Sequence, residues 1–575
     1  MTITPADLAW KDADTPFNTR FQDIYFSTDA QAEVHRVFLE PAGLPTRVSR
    51  EPRLTVAEFG FGSGLNFIVL ATLARQAGCR LHFLSAELNP FRRTDLARTR
   101  GRYTDSAQRA MFDELVTNYP PLLPGWHRRS LGNGAITVSL FFGDVRDFVT
   151  ELAARHAYGV DAWLLDGFAP DRNPRMWEDD LFPTMAATSR NAATVTTFTS
   201  AGRVRRGLEQ AGFAMRRVDQ RPIKRESLAG VCENHSPRPV PPSCVQVLGG
   251  GIAGCSVAAH LALQGIAVRL VEPMGQLATH ASSMRAAQHA RLLADGSVQA
   301  GWRAASHLYS LAFTRGRQGL RSGGAVQLPG PNATVDKLER IARTYADSGD
   351  WLAWADARTI GGLTGWPTRH SQPGLYFPDA PAVDLKLLSC DLASTPGITI
   401  EYGAGADPAL PTVYAFAHGS IRHPQFGHYR LHALWGQLET VTMSTPPALP
   451  VLGDGYLLPW DDCVMVGSTY EYTPWRPEAA TTHNLAKLAG LDFTWRGRQR
   501  AARLTTPDRM PLVGSLGEQW VSLAHGSMGA TSAHLAGALV QSSIMGWIAP
   551  VSVDVAGSVD PARFGRRQQH RQRSR

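Results

Sequence analysis

The chain has 575 residues, 43% hydrophobic and 19% charged, with 58 Lys and Arg against 50 Asp and Glu. That length exceeds one ordinary core and the balance excludes a mostly disordered or fibrous chain, so at least two globular domains are expected. The net charge of +8 suggests an anionic partner, nucleic acid before acidic lipid, although such a charge spread over this surface is also ordinary.

In chain order, the opening MTITPADLAWKDADTPFN has no basic stretch leading into an apolar core, so no signal peptide is expected. No later run approaches the ~18 apolar residues of a membrane helix. LTVAEFGF (54–61) reads as a buried strand and 65–77 as a helix. Strands follow at 81–88, 135–144, 161–168 and 193–199, with helical runs at 145–156 and 203–211. This alternation predicts a mostly parallel, doubly wound α/β sheet whose ligands lie beyond the carboxyl ends of the strands. Ser236–Ser243 holds four prolines in eight residues and reads as a stiff linker between two domains. Six arginines crowd residues 563–575, predicted as a disordered basic tail. The expected division is 1–235, linker 236–243, 244–562 and tail 563–575. Six scattered cysteines without CxxC, and histidines without HExxH, argue against a disulfide framework or a metal site and fit a reducing cytoplasm.

The first strand ends in Glu58-Phe-Gly60-Phe-Gly62-Ser-Gly64-Leu-Asn66. Glycines at alternate positions let backbone approach a ligand, which alone is weak evidence. Glu87 closes the next strand, where a carboxylate can take both ribose hydroxyls, and Asp144 closes a later one, where it could face an adenine amine. Acids at successive strand ends suit S-adenosylmethionine, although each could equally be a helix N-cap. The next strand end, Leu165-Asp166-Gly-Phe168-Ala-Pro170, places an acid and an aromatic where a transferred methyl would emerge. A carboxylate at Asp166 can orient an attacking amine and take its proton, and Phe168 can stack on a nucleobase. A purely structural turn remains open for Asp166.

Beyond the linker, Val245-Gln-Val-Leu-Gly249-Gly-Gly251-Ile-Ala-Gly254 is a GxGxxG between a strand and a helix, with Glu272 ending the following strand. This is a dinucleotide fingerprint in its required context. The pyrophosphate is expected at the helix N-terminus.

Several motifs together resemble one family: Phe17-Asn-Thr-Arg20-Phe21-Gln-Asp23-Ile-Tyr25-Phe26, the first glycine turn with Asn66, LDGFAPDRNPRMW, Thr197-Phe-Thr-Ser-Ala-Gly202 and Lys224-Arg225-Glu226. The family is that of the bifunctional tRNA 5-methylaminomethyl-2-thiouridine biosynthesis proteins. The later half resembles glycine-oxidase flavoproteins through the strand ending at Gly419, the RLTTPDRMPLVG segment from Arg503, and His525-Gly526-Ser-Met-Gly529. The resemblance implies a Rossmann-like S-adenosyl-L-methionine methyltransferase domain joined to a glycine-oxidase-like FAD domain with an α+β substrate part. It implies tRNA as partner, a cytoplasmic monomer, and no membrane or metal. The FAD half would remove the carboxymethyl group of 5-carboxymethylaminomethyl-2-thiouridine by hydride transfer to flavin and imine hydrolysis. The first half would then methylate the amine, with catalysis at Asp166 and Phe168. Arg503 is the candidate for the substrate carboxylate, since a guanidinium fork suits it; a structural arginine is the alternative. Ala281-Ser282-Ser283-Met284 and Trp435-Gly436-Gln437 depart from the family pattern. They leave open a degenerate FAD module that docks tRNA, or an amino-acid oxidase.

Overall fold

The computed structural model describes residues 3–26, 29–154, 159–221, 225–233, 240–331, 333–366 and 372–565. The chain forms two compact units, Met1–Pro241 with Met545–Val553, and Pro242–Ile544 with Asp554 onward.

The first unit opens with a small antiparallel sheet, β1 (Leu8–Trp10), β2 (Pro16–Asn18) and β3 (Asp23–Ile24). Its main body runs β4 (Arg53–Phe59), α1 (Leu65–Ala77), β5 (Arg80–Glu87), α2 (Ser106–Asn118), β6 (Gly125–Leu131), β7 (Ile136–Phe142), α3 (Val145–Ala153), β8 (Val160–Leu165), α4 (Leu181–Thr188), β9 (Ser189–Thr197), α5 (Gly202–Gln210), β10 (Phe213–Asp219) and β11 (Glu226–Cys232). The eight strands lie in the order β10-β11-β9-β8-β4-β5-β7-β6. Strands β9, β8, β4, β5 and β7 are parallel, as alternating strand and helix patterns require, while β6 and β11 run antiparallel to their neighbours. β6, β10 and β11 lie outside the strands expected from the sequence. β4 is buried along six of its seven residues, as expected for a central strand covered on both faces. α1 is held between Gly64 and Gly78, both left-handed, and buries Phe67, Ile68 and Leu70 completely. Each such side chain contributes about 1.5–3 kcal/mol by leaving water.

Met545–Val553 completes this unit rather than the domain predicted at 244–562. The Trp547 ring packs 4.3 Å from that of His82, Ile548 joins the core, its carbonyl accepts from Arg128, and Val553 N donates to Glu151 Oε2 at 3.1 Å. Apolar burial decides this placement, and no local pattern in the sequence announces it.

The second unit has β12 (Cys244–Leu248), α6 (Ile252–Leu263) and β13 (Ala267–Glu272), then β14 (Ile398–Tyr402), β15 (Thr412–Tyr414), β16 (His432–Met443), β17 (Phe493–Thr505), β18 (Leu512–Leu516), β19 (Gln519–Leu523) and α7 (Gly529–Met545). One sheet has the order β14-β13-β12-β15-β19-β18, parallel except for β18. A second sheet of eight strands, antiparallel except for one pairing, ends in β16 and the edge strand β17. These two long strands were not legible in the sequence, because β17 carries few apolar residues.

Of the predicted linker, 236–239 lies outside the described residues, and Val240 is fully open to solvent. The first residues of the tail predicted at 563–575 are packed: Arg563 is buried, its Nε donating to Asp508 Oδ2 at 3.0 Å, and Phe564 lies 5.7 Å from the Tyr429 ring. Residues 566–575 lie outside the described residues, as does Lys224.

Candidate active sites at the two glycine turns

In the first unit the glycine turn leaves β4 and enters α1. Gly60 has φ +87, and a Cβ there would collide with the Asp166 carbonyl, so this position requires glycine. A Cβ on Gly62 would sit 3.1 Å from the Tyr25 ring, and one on Gly64 2.8 Å from Phe61. The turn is held by Glu87, whose Oε2 accepts Gly62 N at 2.8 Å and whose Oε1 accepts Asn89 N at 2.9 Å. Burial raises the Glu87 carboxyl, opposed by these backbone N–H groups.

Glu58 does not reach the turn's surface. It is buried beneath it, accepting Ser85 Oγ at 2.7 Å and Asn66 Nδ2 at 2.9 Å. Burial and then the charge of Asp166 push its carboxyl well above the usual range. Asn66 Nδ2 also donates to Asp166 Oδ2 at 2.7 Å, so one amide joins two carboxylates. Its Oδ1 is buried without a partner. Asp144 Oδ1 caps α3 by accepting Arg146 N at 2.9 Å, and its Oδ2 faces Arg175 Nη2 at 3.4 Å.

Around Asp166 stand aromatic rings. Phe168 stacks on Phe21 at 4.6 Å and meets Tyr25 edge-on at 5.4 Å. Asn18, itself buried, orients both: its Oδ1 accepts Arg20 N and Phe21 N at 3.0 and 2.9 Å, and its Nδ2 donates to Tyr25 Oη at 2.8 Å. Phe21, Tyr25 and Asn18 were family markers in the sequence without a role. Their signal was the residue types alone, since ~145 residues of chain separate them from Asp166.

In the second unit, Gly249 has φ +115, and a Cβ there would press on Ala415 and Phe416 backbone at 2.9 Å. A Cβ on Gly254 would collide with the Gly249 carbonyl, which is the close helix–strand packing expected of the third glycine. Glu272 repeats the arrangement of Glu87: its Oε2 accepts Gly250 N at 2.6 Å and its Oε1 Met274 N at 2.9 Å. Beside Gly251, Ser282 Oγ accepts Ile252 N at 3.1 Å, so Ser282, which precedes the departing Ser283 and Met284, places a hydroxyl over the N-terminus of α6. Gly419 meets only Phe416 at 3.7 Å. Gly526, at φ +58, precedes α7, and Gly529 begins it.

Arg503 lies on β17, its Nη2 donating to Ser468 Oγ at 2.7 Å and its Cζ 4.9 Å from the Tyr470 ring centroid. Its Nη1 is buried without a partner. Gly436, on β16 and paired with Ala501 of β17, leaves the space the guanidinium fills, whereas the departure in this segment is Trp435 beside it.

Both sites fit their nucleotide cofactors on these observations. The first offers a glycine cradle, the unpartnered Asn66 Oδ1, and a Glu87 carboxylate with lone pairs to spare for a diol. The second offers the N-terminus of α6, bare glycine backbone and Glu272. Among the described residues, no group of three or more His, Cys, Asp or Glu could hold a metal ion, and no helix is long and apolar enough to cross a membrane.

Residues 106–233 match the family of S-adenosyl-L-methionine-dependent methyltransferases, and residues 245–399 that of FAD dependent oxidoreductases. The chain therefore joins a methyltransferase that uses S-adenosyl-L-methionine to an oxidoreductase that uses FAD. The glycine oxidase of Geobacillus kaustophilus superposes with a TM-score of 0.44 at 18% identity, over 52% of this chain and 94% of its own. The tRNA 5-methylaminomethyl-2-thiouridine biosynthesis bifunctional protein MnmC of Burkholderia multivorans is 30% identical, covering 98% of this chain and 97% of the relative. Its namesake in Paraburkholderia xenovorans is also 30% identical, over 98% of each. With both units matched in order and the whole length covered, the chain belongs to the family of tRNA 5-methylaminomethyl-2-thiouridine biosynthesis bifunctional proteins.

Proposed function

We propose that the chain performs two consecutive steps on the wobble uridine of tRNA. The FAD unit converts 5-carboxymethylaminomethyl-2-thiouridine to the 5-aminomethyl form, and the methyltransferase unit converts that amine to 5-methylaminomethyl. The observation that carries this reading is the full-length match to relatives bearing both units in this order. It acts in the cytoplasm, where tRNA is modified, and as a monomer.

Bound S-adenosylmethionine supplies an electrophilic methyl group, and bound FAD an acceptor for a hydride. Glu87 and Asp144 hold the ribose and adenine of the former, and Gly60, Gly62 and Gly64 admit its methionine part. Asn66 orients Asp166 through the 2.7 Å bond. Asp166 accepts an N–H of the substrate amine, directs its lone pair, and takes the proton released. Phe168, backed by Phe21, stacks on the base. In the second unit Gly249, Gly251, Gly254 and Glu272 hold the dinucleotide, with Gly419, Gly526 and Gly529 lining its flavin end. Arg503 offers its free Nη1 to the substrate carboxylate. Removing a hydride and a proton from the CH–NH bond leaves an imine, which water splits into glyoxylate and the primary amine.

Mass spectrometry of tRNA nucleosides from a deletion strain tests this. The carboxymethylaminomethyl nucleoside should accumulate, and an unchanged profile would sink the proposal. The amino-acid-oxidase alternative instead requires turnover of free glycine or sarcosine without tRNA.

A further inference from the structure

Around Arg503 and Tyr470 stand side chains that the proposed reaction does not use. Glu471 forms an isolated antiparallel bridge with Trp435, each N–H donating to the other's carbonyl at 3.0 Å. In such an extended segment successive side chains alternate in direction. Glu471 points inward, fully buried and paired with Arg500, while Tyr470 and Tyr472 turn outward, 41% and 68% exposed. Two exposed rings thus stand beside Arg503.

Arginines surround these rings. Arg291 lies 6.0 Å from the Tyr470 centroid, and Arg509 Nη2 donates to Tyr472 Oη at 2.7 Å. Arg303 donates to the Arg291 carbonyl at 2.8 Å. Burial, then the charges of Arg291 and Arg509, lower the Arg303 guanidinium, with Asp295 opposing them. Partial desolvation raises the Tyr470 phenol, but Arg503, Arg291, a hydrogen bond with Ser527 and Arg509 together outweigh it and bring the group below its ordinary value. The adjacent carboxylate, Asp508, is already committed to Arg563. Among the described residues no carboxylate forms an ion pair with Arg291, Arg503 or Arg509. Arginines gathered without an ion-pairing carboxylate of their own favour a polyanion.

We propose that Tyr472, Arg291 and Arg509 form a docking rim for an unpaired RNA loop, Tyr472 stacking on a base next to the reacting nucleotide and the two arginines contacting flanking phosphates. The chemistry matches what single strands present: a π-face on every base and a charge on every phosphate, with stacking worth about 1–3 kcal/mol per base. A guanidinium serves phosphate through its planar fork. Arg503, deeper and partnered by Ser468, is left for the carboxylate. The inference rests on the reading of this unit as acting on tRNA, and adds where the RNA is gripped.

The test uses full-length, flavin-loaded protein and an unmodified anticodon stem-loop RNA, with binding followed by fluorescence anisotropy over a salt series. Tyr472→Ala should weaken binding roughly 5- to 100-fold, and Tyr472→Phe should restore most of it. Arg291→Gln and Arg509→Gln should each lower the slope of log K against log salt by about one. Flavin content and melting temperature report whether each variant is folded. A folded set with unchanged affinity and slope would overturn the rim. Failure of the wild-type protein to oxidise tRNA bearing 5-carboxymethylaminomethyl-2-thiouridine would instead overturn the proposed function.

Discussion

Asn66 Nδ2 donates to Asp166 Oδ2 at 2.7 Å, linking the first turn of α1 to the turn after β8. The same nitrogen donates to buried Glu58, and the amide oxygen is left free. One side chain thus sets the direction of the acid that would receive the amine. Replacing Asn66 by Ala removes both bonds and leaves Glu58 with Ser85 as its remaining side-chain donor, at a cost of about 1–3 kcal/mol. Asn66→Asp adds a third carboxylate to two and should harm methyl transfer more than Asn66→Ala does. Both activities measured in the same preparation check this, because flavin reduction should persist when methylation falls.

Asp166→Ala should reduce methyl transfer roughly 10²–10⁴-fold, the range for loss of a general base. In cells the 5-aminomethyl nucleoside should then accumulate, while carboxymethyl removal continues. Nucleoside mass spectrometry separates the two, and normal methylation by this variant would remove Asp166 from its role.

The glycines divide by geometry. Gly60→Ala and Gly249→Ala put a Cβ against backbone at positive φ, so each should destabilise its own unit and lower cofactor retention. Gly419→Ala places its Cβ in ordinary contact with Phe416 at 3.7 Å and should stay within about 0.5 kcal/mol of the wild type. Melting curves with and without added cofactor distinguish the classes.

Arg503→Lys keeps the charge but loses the fork, so the KM of the oxidase step should rise about tenfold or more. Gly436→Ala should act in the same direction by displacing the guanidinium. Steady-state flavin reduction by modified tRNA measures both; a KM unchanged in Arg503→Lys would take the carboxylate away from Arg503.

Burial lowers His307 and His525 to about 4 and, with His307 and Arg291 adding to it, His289 to about 3, from an ordinary 6.5. Trp351 Nε1 donates to His307 Nδ1 at 3.0 Å, so that nitrogen is an acceptor and protonation breaks the bond. The unfolded chain therefore binds protons that the folded unit refuses. Stability is full above pH 6.5 and falls as pH drops from 6.5 toward 4. The melting temperature of the second unit should decline across that window, and His307→Gln should flatten the decline.

Local pattern made much of both sites legible. The strand–turn–helix units at Gly60 and Gly249 show in any window of twenty residues, because apolar runs, glycine turns and strand-end acids are neighbours in the chain. For the same reason α1 and α6 fall where the sequence placed them. Glu58 is instructive: it stands at a strand end as Glu87 does, yet the fold buries it behind Asn66. Position at a strand end does not say which way a side chain faces.

The sequence by itself determined the two nucleotide folds, their order, and the acid and aromatic residues after β8. Only the tertiary structure brought Phe21 and Tyr25 onto Phe168, seated Met545–Val553 in the first unit, and gathered Arg291, Arg503 and Arg509 around Tyr470 and Tyr472. The physical reason is separation. Hydrogen-bonded turns and amphipathic periods are set by residues a few positions apart, whereas stacking, charge clustering and the burial of Trp547 join residues tens to hundreds apart, and nothing in a local window encodes them.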